Sequence, residues 1–286
     1  MNRKIFLVAL AAMLCCTGAR AQKSAIVTDS LYSRILSATV RYNVYLPQNY
    51  EQAGHHPAIY LLHGLGGDYT DWDRKGNVKM AADRMIRSGE MMPAVIIMPN
   101  AGNVDRINEW NGYFNMPGWN YEDFFFKELL PAVESKYKCG GSKDQRAVMG
   151  LSMGGGGSTV YAQRHSELFS SCYAMSAWMT NEPSQVKLGE TPSKLDIVCK
   201  SVSDHSSIRF LTEADNKVIE KLKTVKWFVD CGDDDFILNI NLDFYKVMRD
   251  KGIPCELRIR DGVHNWEYWH EALSMSLPFA SRNFNE

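Results

Sequence analysis

The stretch RAVMGLSMGGGG, residues 146–157, carries three local signals side by side. Its first four residues, 146–149, form a mostly apolar run that predicts a buried strand. A run of small residues at 154–158 opens a predicted helix. The turn between them holds Ser152 in the pattern G-x-S-x-G, whose glycines allow a strand and a helix to approach closely. A strand, a sharp turn and a helix in this order present the serine hydroxyl at a helix N-terminus, where developing negative charge is favoured.

Apolar and amphipathic segments alternate on both sides of this stretch. Strands followed by helices in this way predict an α/β fold, with a mostly parallel central sheet and helices on both faces. In such sheets, ligands bind beyond the carboxyl ends of the strands. The other predicted strands lie at 37–46, 57–62, 94–98, 169–175, 225–229 and 255–259. The predicted helices lie at 78–88, 121–137, 237–251 and 266–280, the last of them broken near Pro278.

Length and charge narrow the class of protein. The chain has 286 residues, 45% of them hydrophobic, which is enough for one large core. No repeat, low-complexity segment or linker follows residue 22, so one domain is predicted over 22–286. The formal net charge is −1, from 32 basic and 33 acidic residues, without a basic run. A nucleic-acid partner is therefore not expected.

The N-terminus has the features of an export signal. Two basic residues precede an apolar stretch at 5–16, and an Ala-Arg-Ala cleavage signal ends at Ala21. We predict a signal peptide over 1–21 and a periplasmic or secreted mature chain without an integral membrane segment. A lipoprotein is disfavoured because small residues do not precede Cys15 or Cys16.

Cysteine usage predicts neither a metal site nor a disulfide framework. The mature chain has an odd number of cysteines, and their spacings match no zinc pattern. Cys172 and Cys231 stand inside apolar runs and are predicted to be small core residues. We expect no essential disulfide, no metal and no cofactor. The five cysteines are Cys139, Cys172, Cys199, Cys231 and Cys255.

A serine nucleophile needs a base, and the base needs an orienting carboxylate. In strand–turn–helix serine enzymes of this kind the chain order is serine, acid, histidine. His264 follows the last predicted strand and is the predicted base. His270 falls inside the next helix, and His205 lies in an irregular polar stretch, so both are weaker candidates.

The acid is expected after the strand at 225–229, where four aspartates compete. Asp230 ends the strand and is equally explained as a structural residue. Asp233 and Asp234 could cap the helix that follows. The ligand spacing of an EF-hand calcium loop is absent. Placement alone therefore leaves Asp233, Asp234 and Asp235 open as the acid.

Two backbone amides are predicted to hold the oxyanion of an acyl-transfer reaction. One is the N–H of Met153, directly after the serine, and the other comes from a loop after an early strand. The glycine-rich loop HGLGG at 63–67 follows such a strand, and its Leu65 is the predicted second donor. His63 is expected to brace the loop and not to take part in catalysis.

Five motifs occur in a fixed order that covers nearly all of the mature chain. They are HGLGG at 63–67, YEDF at 121–124, GLSMGG at 150–155, C-G-x-x-D-F at 231–236 and G-x-H-x-W-x-x-W at 262–269. This combination resembles the esterase D-like family, which includes feruloyl esterases, acetyl xylan esterases, S-formylglutathione hydrolases and mycolyltransferases. The resemblance implies the α/β-hydrolase fold. It also implies that Asp235, which closes the G-x-x-D turn, is the acid, and it supports Leu65 and Met153 as oxyanion donors.

The resemblance implies a serine carboxylic ester hydrolase. Because the export signal disfavours a cytosolic glutathione thioesterase, we expect removal of feruloyl or acetyl groups from plant xylan. The partner would be a small-molecule or polysaccharide-linked ester. The alternatives are an acyltransferase to a sugar acceptor, an S-formylglutathione hydrolase-like thioesterase, a peptidase of the same fold and a non-catalytic carbohydrate-binding module. The oligomeric state stays open.

Aromatic residues supply candidate substrate contacts. Three of them, Trp110, Tyr113 and Trp119, come after the predicted strand that ends near Met98. They could stack on a sugar or phenolic ring, or they could pack their loop onto the core. Trp266 is a further candidate and could also buttress the histidine loop. The polar segment Thr180–Ser207 is expected to be irregular, as part of a lid or as a passive surface loop.

Overall fold

The computed structural model describes residues 22–52, 54–102, 112–181, 186 and 189–284. Within these residues, eight strands form one sheet and two short strands form a hairpin. The strands of the sheet are β1 (Ala25–Ser33), β2 (Ala38–Leu46), β3 (Ala58–Leu62), β4 (Val95–Pro99), β7 (Arg146–Leu151), β8 (Ser171–Met175), β9 (Lys226–Gly232) and β10 (Cys255–Arg260). The hairpin consists of β5 (Asn115–Met116) and β6 (Trp119–Asn120).

The strand order places two loops side by side at the centre of the sheet. The order is β1-β2-β4-β3-β7-β8-β9-β10. β2 pairs antiparallel with β1 and β4, and the remaining pairs, β4–β3, β3–β7, β7–β8, β8–β9 and β9–β10, are parallel. From β3 the chain moves to one side of the sheet, and from β7 it moves to the other. The loops after β3 and β7 therefore flank the switch point, where ligands bind in sheets of this kind.

Helices cover both faces of this sheet. They are α1 (Asp71–Arg74), α2 (Val78–Ser88), α3 (Tyr121–Phe124), α4 (Leu130–Tyr137), α5 (Met153–Arg164), α6 (Lys194–Asp204), α7 (Ser207–Glu213), α8 (Asn216–Leu222), α9 (Leu238–Asp250) and α10 (Trp266–Arg282).

The sheet separates two hydrophobic clusters, because successive side chains of a strand point to opposite faces. On β3, Ile59 and Leu61 join the cluster formed with α2 and α10. Tyr60 and Leu62 join the cluster formed with α5 and α9. A mostly parallel sheet with helices on both faces confirms the predicted fold class, and the architecture is that of the α/β-hydrolase fold.

The structure differs from the sequence-based expectation at the N-terminal edge and in the segment Thr180–Ser207. Strand β1, which the sequence did not predict, pairs with β2 along its length. The segment contains helix α6, which starts with a capping box between Ser193 and Asp196. This S-x-x-D pattern is visible in the sequence and was a usable signal for a helix start. Residues 182–185 and 187–188 of the segment lie outside the described residues.

Pro278 does not break the last helix, and this expectation was wrong. Helix α10 runs through the proline to Arg282. A proline inside a helix costs about 3 kcal/mol. Its neighbours Leu277 and Phe279 are fully buried in the α2–α10 cluster, and burying each such side chain stabilises the fold by about 1.5–3 kcal/mol. Burial therefore offsets the lost hydrogen bond and keeps the helix intact.

The helix predicted at 121–137 forms, with one irregularity. A five-residue π-helical turn, Phe125–Leu129, joins α3 to α4 without interrupting the run. Phe125 and Leu129 are fully buried. Glu128 in the same turn accepts hydrogen bonds from the backbone N–H groups of Arg34 and Ile35. The wider turn therefore holds the connection between β1 and β2.

The cysteines of the described chain are free thiols. Cys172 and Cys231 are buried, as the sequence predicted. Burial raises the pKa of the Cys231 thiol to about 12, so this group stays protonated at neutral pH. The predicted signal peptide at 1–21 lies outside the described residues. Among the described helices, none combines the length and the apolar composition that a membrane crossing requires.

The start of α5 is glycine-rich because it lies against backbone on two sides. A β-carbon on Gly154 would lie 2.5 Å from the carbonyl oxygens of Leu62 and His63. A β-carbon on Gly156 would lie 2.0 Å from the carbonyl oxygen of Trp178. Only glycine fits at either position without a backbone shift.

We expect Gly156→Ala to destabilise the fold. Alanine in a helix gains about 1 kcal/mol over glycine in intrinsic propensity. The clash with the Trp178 carbonyl is with backbone and should cost more, so that the free energy of unfolding falls by about 2 kcal/mol. Urea denaturation measures this loss. Gly189→Ala is the matched control, because Gly189 is exposed with no atom near its β-carbon position. Equal stability of the two variants would contradict the packing argument.

Candidate active site

Ser152 sits at the turn between β7 and α5 in a constrained backbone conformation. Its φ is 52° and its ψ is −117°, a region that costs a non-glycine residue about 1–3 kcal/mol. Backbone hydrogen bonds hold it there. The Ser152 N–H donates to the Met175 carbonyl at 2.9 Å, and its own carbonyl accepts from the N–H groups of Gly156 and Trp178 at 3.0 and 2.9 Å. The turn thereby aims the side chain away from the sheet.

His264 joins Ser152 to Asp235 through both of its ring nitrogens. Nδ1 lies 3.0 and 2.9 Å from the two carboxylate oxygens of Asp235. Because a carboxylate only accepts, Nδ1 carries the proton. Nε2 is then free to accept a hydrogen bond from the Ser152 hydroxyl, 2.9 Å away. The structure thus brings together the three residues that the sequence analysis selected as nucleophile, base and acid.

The Asp235 carboxyl is held in its ionised form. Burial raises its pKa, but hydrogen bonds from His264, from the backbone N–H of Ile237 and from the Ser176 hydroxyl outweigh this effect and lower the pKa below its ordinary value. The Ile237 bond measures 3.0 Å. Asp235 is therefore available at neutral pH as an acceptor that fixes the orientation of the imidazole.

Two residues that the sequence analysis did not assign to this role support the acid and the base. Ser176 is fully buried and donates to the Asp235 carboxylate. The Trp269 indole N–H donates to the Ser176 hydroxyl oxygen at 3.1 Å, and its ring stands edge-on to His264 at 4.9 Å. Ser176 directly follows β8, so a polar residue at the carboxyl end of a parallel strand was an available signal.

Asp230, one of the four competing aspartates, is a structural residue. Its carboxylate is fully buried inside β9, which continues to Gly232. It accepts a hydrogen bond from the Tyr173 hydroxyl at 2.6 Å and another from the Tyr268 hydroxyl. These bonds tie β8 and α10 to β9, whereas the hydrogen bonds of His264 go to Asp235 and Ser152.

Asp233 and Asp234 lie on the turn before Asp235. The Asp233 carboxylate accepts the N–H of Gly262 at 3.0 Å, which ties the acid loop to the histidine loop. One oxygen each of Asp233, Asp234 and Asp261 lies within 4.8 Å of the others, a spacing that a metal ion could bridge. All three residues are exposed, and Asp233 is already engaged in the loop. Loop bracing therefore explains the cluster.

The two predicted oxyanion donors, Leu65 and Met153, lie close to Ser152. A β-carbon on Gly64 would be 3.6 Å from the Ser152 β-carbon, so the loop carrying Leu65 lies directly against the serine. Leu65 lines the same cavity as Ser152. Met153 is the first residue of α5, where backbone N–H groups have no acceptor within the helix. The loop that carries Leu65 and the start of α5 therefore both adjoin Ser152.

His63 holds the Leu65 loop, as the sequence analysis expected. It is buried, and its Nε2 accepts the Ala101 N–H at 3.0 Å. Nδ1 then carries the proton and donates to the Gly64 carbonyl at 2.8 Å. Burial lowers the pKa of His63, which keeps this ring neutral. The Tyr113 hydroxyl donates to the His63 carbonyl at 3.0 Å and supports the loop from below.

A cavity of about 410 Å³ opens at Ser152 and His264. Much of its wall is aromatic. The rings are those of Trp178, Phe236, Trp266 and Trp269. The volume is within the range of small-molecule sites, and the lining suits a flat apolar group.

One polar pair interrupts this apolar lining. Asp71 and Lys75 both line the cavity, and the Lys75 ammonium lies 2.8 Å from an Asp71 carboxylate oxygen. The ammonium also lies 5.6 Å from the centre of the Trp266 ring. Neither residue had been singled out from the sequence, because a lone Asp-x-x-x-Lys spacing is common on helix surfaces.

The predicted aromatic contacts divide into three outcomes. Trp266 lines the cavity, as expected. Tyr113 and Trp119 do not reach it and are buried, at 0% and 6% exposure, which corrects the expectation that they contact substrate. Tyr113 instead supports the His63 loop, and Trp119 packs into the core cluster on the α5 side of the sheet. Trp110 lies outside the described residues.

A serine hydroxyl hydrogen-bonded to a histidine, which a carboxylate orients in turn, is an arrangement that can carry out acyl transfer. The cavity adds space for the acyl part of an ester.

The comparisons agree on one family. The family model described as "Esterase: Putative esterase" matches residues 33–280. A solved structure of a ferulic acid esterase is 47% identical, covers 92% of this chain and 98% of its own, and superposes with a TM-score of 0.87.

Two curated relatives are more distant. An acetyl esterase of Caldicellulosiruptor saccharolyticus is 21% identical over 78% of this chain and 83% of its own length. An endo-1,4-beta-xylanase/feruloyl esterase of Xylanibacter ruminicola is 26% identical over 63% of this chain and 24% of its own length. The extent of the family match, together with the identity to a solved esterase, shows that this chain belongs to the esterase family and is a carboxylic ester hydrolase.

Proposed function

We propose that this esterase releases feruloyl groups from plant polysaccharide, with Ser152, His264 and Asp235 as its catalytic triad. The observation that carries the proposal is the hydrogen-bonded series Asp235–His264–Ser152 at the mouth of an aromatic cavity. The series supplies the nucleophile and its base, and the cavity supplies the space for a large acyl group.

The first half of the reaction forms an acyl-enzyme. Nε2 of His264 takes the proton of the Ser152 hydroxyl while its oxygen attacks the ester carbonyl carbon. The carbonyl oxygen becomes an oxyanion and accepts from the N–H groups of Leu65 and Met153. Asp235, ionised and bonded to Nδ1, stabilises the imidazolium that forms. The imidazolium then gives its Nε2 proton to the leaving alcohol as the carbon–oxygen bond breaks.

The second half repeats these steps with water. His264 takes a proton from a water molecule, whose oxygen attacks the acyl carbon bound to Ser152. The collapse of this second tetrahedral intermediate returns the proton to the serine oxygen and releases the carboxylic acid. Atoms and charge balance without a cofactor, and the product is ferulic acid when the acyl group is feruloyl.

The size of the cavity favours a feruloyl over an acetyl group. An acetyl group would fill a small part of about 410 Å³, and the aromatic walls would then contact little of it. A planar phenolic acyl group can bury its ring against Trp178, Trp266 and Trp269, and aromatic burial supplies large binding energy. The similarity to a ferulic acid esterase and to a xylanase/feruloyl esterase supports this choice, and the more distant acetyl esterase makes acetyl the natural comparison.

The same proposal places the enzyme outside the cytoplasm. An enzyme that acts on plant polysaccharide encounters its substrate outside the cell. Residues 1–21 have the sequence of an export signal. Detection of a mature N-terminus at Gln22 in the exported fraction of cells supports this location.

The choice of acid is tested by two neighbouring aspartates. Asp235→Asn removes the carboxylate that holds His264 as the Nδ1–H tautomer, and we expect kcat to fall by about 10⁴-fold. Asp234→Asn is the matched control, because Asp234 is exposed and lies one residue away, and its kcat should stay within about twofold of the wild type, as for ordinary surface changes. Hydrolysis of p-nitrophenyl acetate measures both. A larger loss in Asp234→Asn than in Asp235→Asn would reverse the assignment.

The acyl group is tested on methyl ferulate and acetylated xylan assayed side by side. We expect the wild type to release ferulic acid with the higher kcat/KM, because the feruloyl ring fills the cavity and an acetyl group does not. Liquid chromatography of ferulate and acetate measures both products, and Ser152→Ala provides the blank. Acetate release with no ferulate release would replace the feruloyl proposal by deacetylation. Transfer of the acyl group to an added sugar in place of water would favour an acyltransferase.

A further inference from the structure

The mechanism fixes where the alcohol part of the ester must lie. The leaving oxygen receives its proton from Nε2 of His264, so it must come within hydrogen-bond distance of that atom. The group attached to this oxygen therefore extends past the imidazole, on the side away from the acyl group. This step rests on the proposed function and uses its base.

An exposed aromatic ring stands beside the imidazole. The Phe236 ring lies 4.6 Å from the imidazole of His264, centre to centre, and lines the cavity. Its side chain is 79% exposed, the highest value among the large hydrophobic residues described. An apolar surface of this size is favoured when something covers it, and no described part of this chain does so.

The backbone around Phe236 is constrained, which limits the positions that the ring can take. The preceding residue, Asp235, donates its N–H to the Gly232 carbonyl at 3.3 Å. The following residue, Ile237, donates its N–H to the Asp235 carboxylate at 3.0 Å. Leu238 then donates to the Asp235 carbonyl at 2.9 Å and begins helix α9. A surface that is already ordered loses little entropy when a ligand binds.

We propose that Phe236 is the binding platform for the sugar that carries the ester. The C–H face of a sugar ring is apolar and packs on a phenyl face, while its hydroxyl groups remain in water. Val263, 44% exposed and directly before His264, adds apolar surface on the histidine loop. The preferred substrates of this site are thus esters whose alcohol is a sugar. Esters of methanol, whose leaving group is too small to reach the ring, gain nothing from it.

The test compares two esters of the same acid. Methyl ferulate and feruloyl-arabinose oligosaccharides share the acyl group and differ only in the alcohol. We expect the wild type to cleave the sugar ester with a kcat/KM about tenfold higher, the factor that one aromatic contact provides. In Phe236→Ala this ratio should fall to about one, since only the sugar ester loses the contact.

Two further variants test whether the effect depends on an aromatic ring at position 236. Phe236→Trp retains an aromatic face and should retain the preference. Tyr32→Ala removes another exposed aromatic side chain, on β1 and 64% exposed, and should leave the ratio unchanged. Measuring a ratio cancels any loss of folded enzyme, because both substrates report on the same preparation.

The outcomes separate this inference from the proposed function. Equal losses on both esters in Phe236→Ala would overturn the platform, as would a wild type that cleaves methyl ferulate and shows no preference for the sugar ester. Either result leaves feruloyl hydrolysis standing. A wild type that cleaves neither ferulate ester would overturn the feruloyl proposal, and the sugar platform with it.

Discussion

The site depends on how closely one turn approaches its neighbouring strand. A β-carbon on Gly150 would lie 2.6 Å from the backbone of Gly154 and 2.8 Å from the Leu62 carbonyl. These contacts allow β7, α5 and the end of β3 to meet almost backbone to backbone. The contacts also hold Ser152 in a left-handed conformation that a looser turn would not enforce. The surrounding hydrogen bonds maintain this strained backbone, which keeps the Ser152 hydroxyl at the edge of the sheet.

The remaining parts of the site come from loops at the same edge, because β3, β7, β9 and β10 are parallel. The loop after β3 brings Leu65, the loop after β9 brings Asp235, and the loop after β10 brings His264. The last two loops are tied by the Asp233 carboxylate on the Gly262 N–H. His264 is therefore held by the sheet and by braced loops, and acyl transfer by the proposed triad needs such fixed geometry.

The sequence predicted the fold and most of the acyl-transfer geometry because these depend on local rules. A buried strand, a G-x-S-x-G turn and a glycine-rich helix start identified Ser152, and a histidine after the last strand identified His264. Asp235 could not be separated from Asp233 and Asp234 by placement, since all three occupy one turn. Family resemblance selected it, and in the structure it alone of the three bonds the histidine.

Local sequence patterns could not predict contacts between residues that are distant in the chain. Ser176 meets Asp235 only when β8 and β9 pair, and Phe236 stands out only when its exposure is measured. Tyr113 and Trp119 illustrate the opposite error. An aromatic cluster near the carboxyl edge predicts ligand contact and buried packing equally well, and here burial decided. The helix break predicted at Pro278 was wrong for a similar reason. The packing of Leu277 and Phe279 outweighs the effect of a proline inside the helix.

The central claim is that Ser152 is the nucleophile of this esterase, and covalent labelling tests it most directly. A fluorophosphonate reacts with an activated serine, and mass spectrometry of the digested protein locates the adduct. The account predicts one adduct, on the peptide that contains Ser152, and none in Ser152→Ala. An adduct on another serine, or equal labelling of wild type and Ser152→Ala, would contradict it.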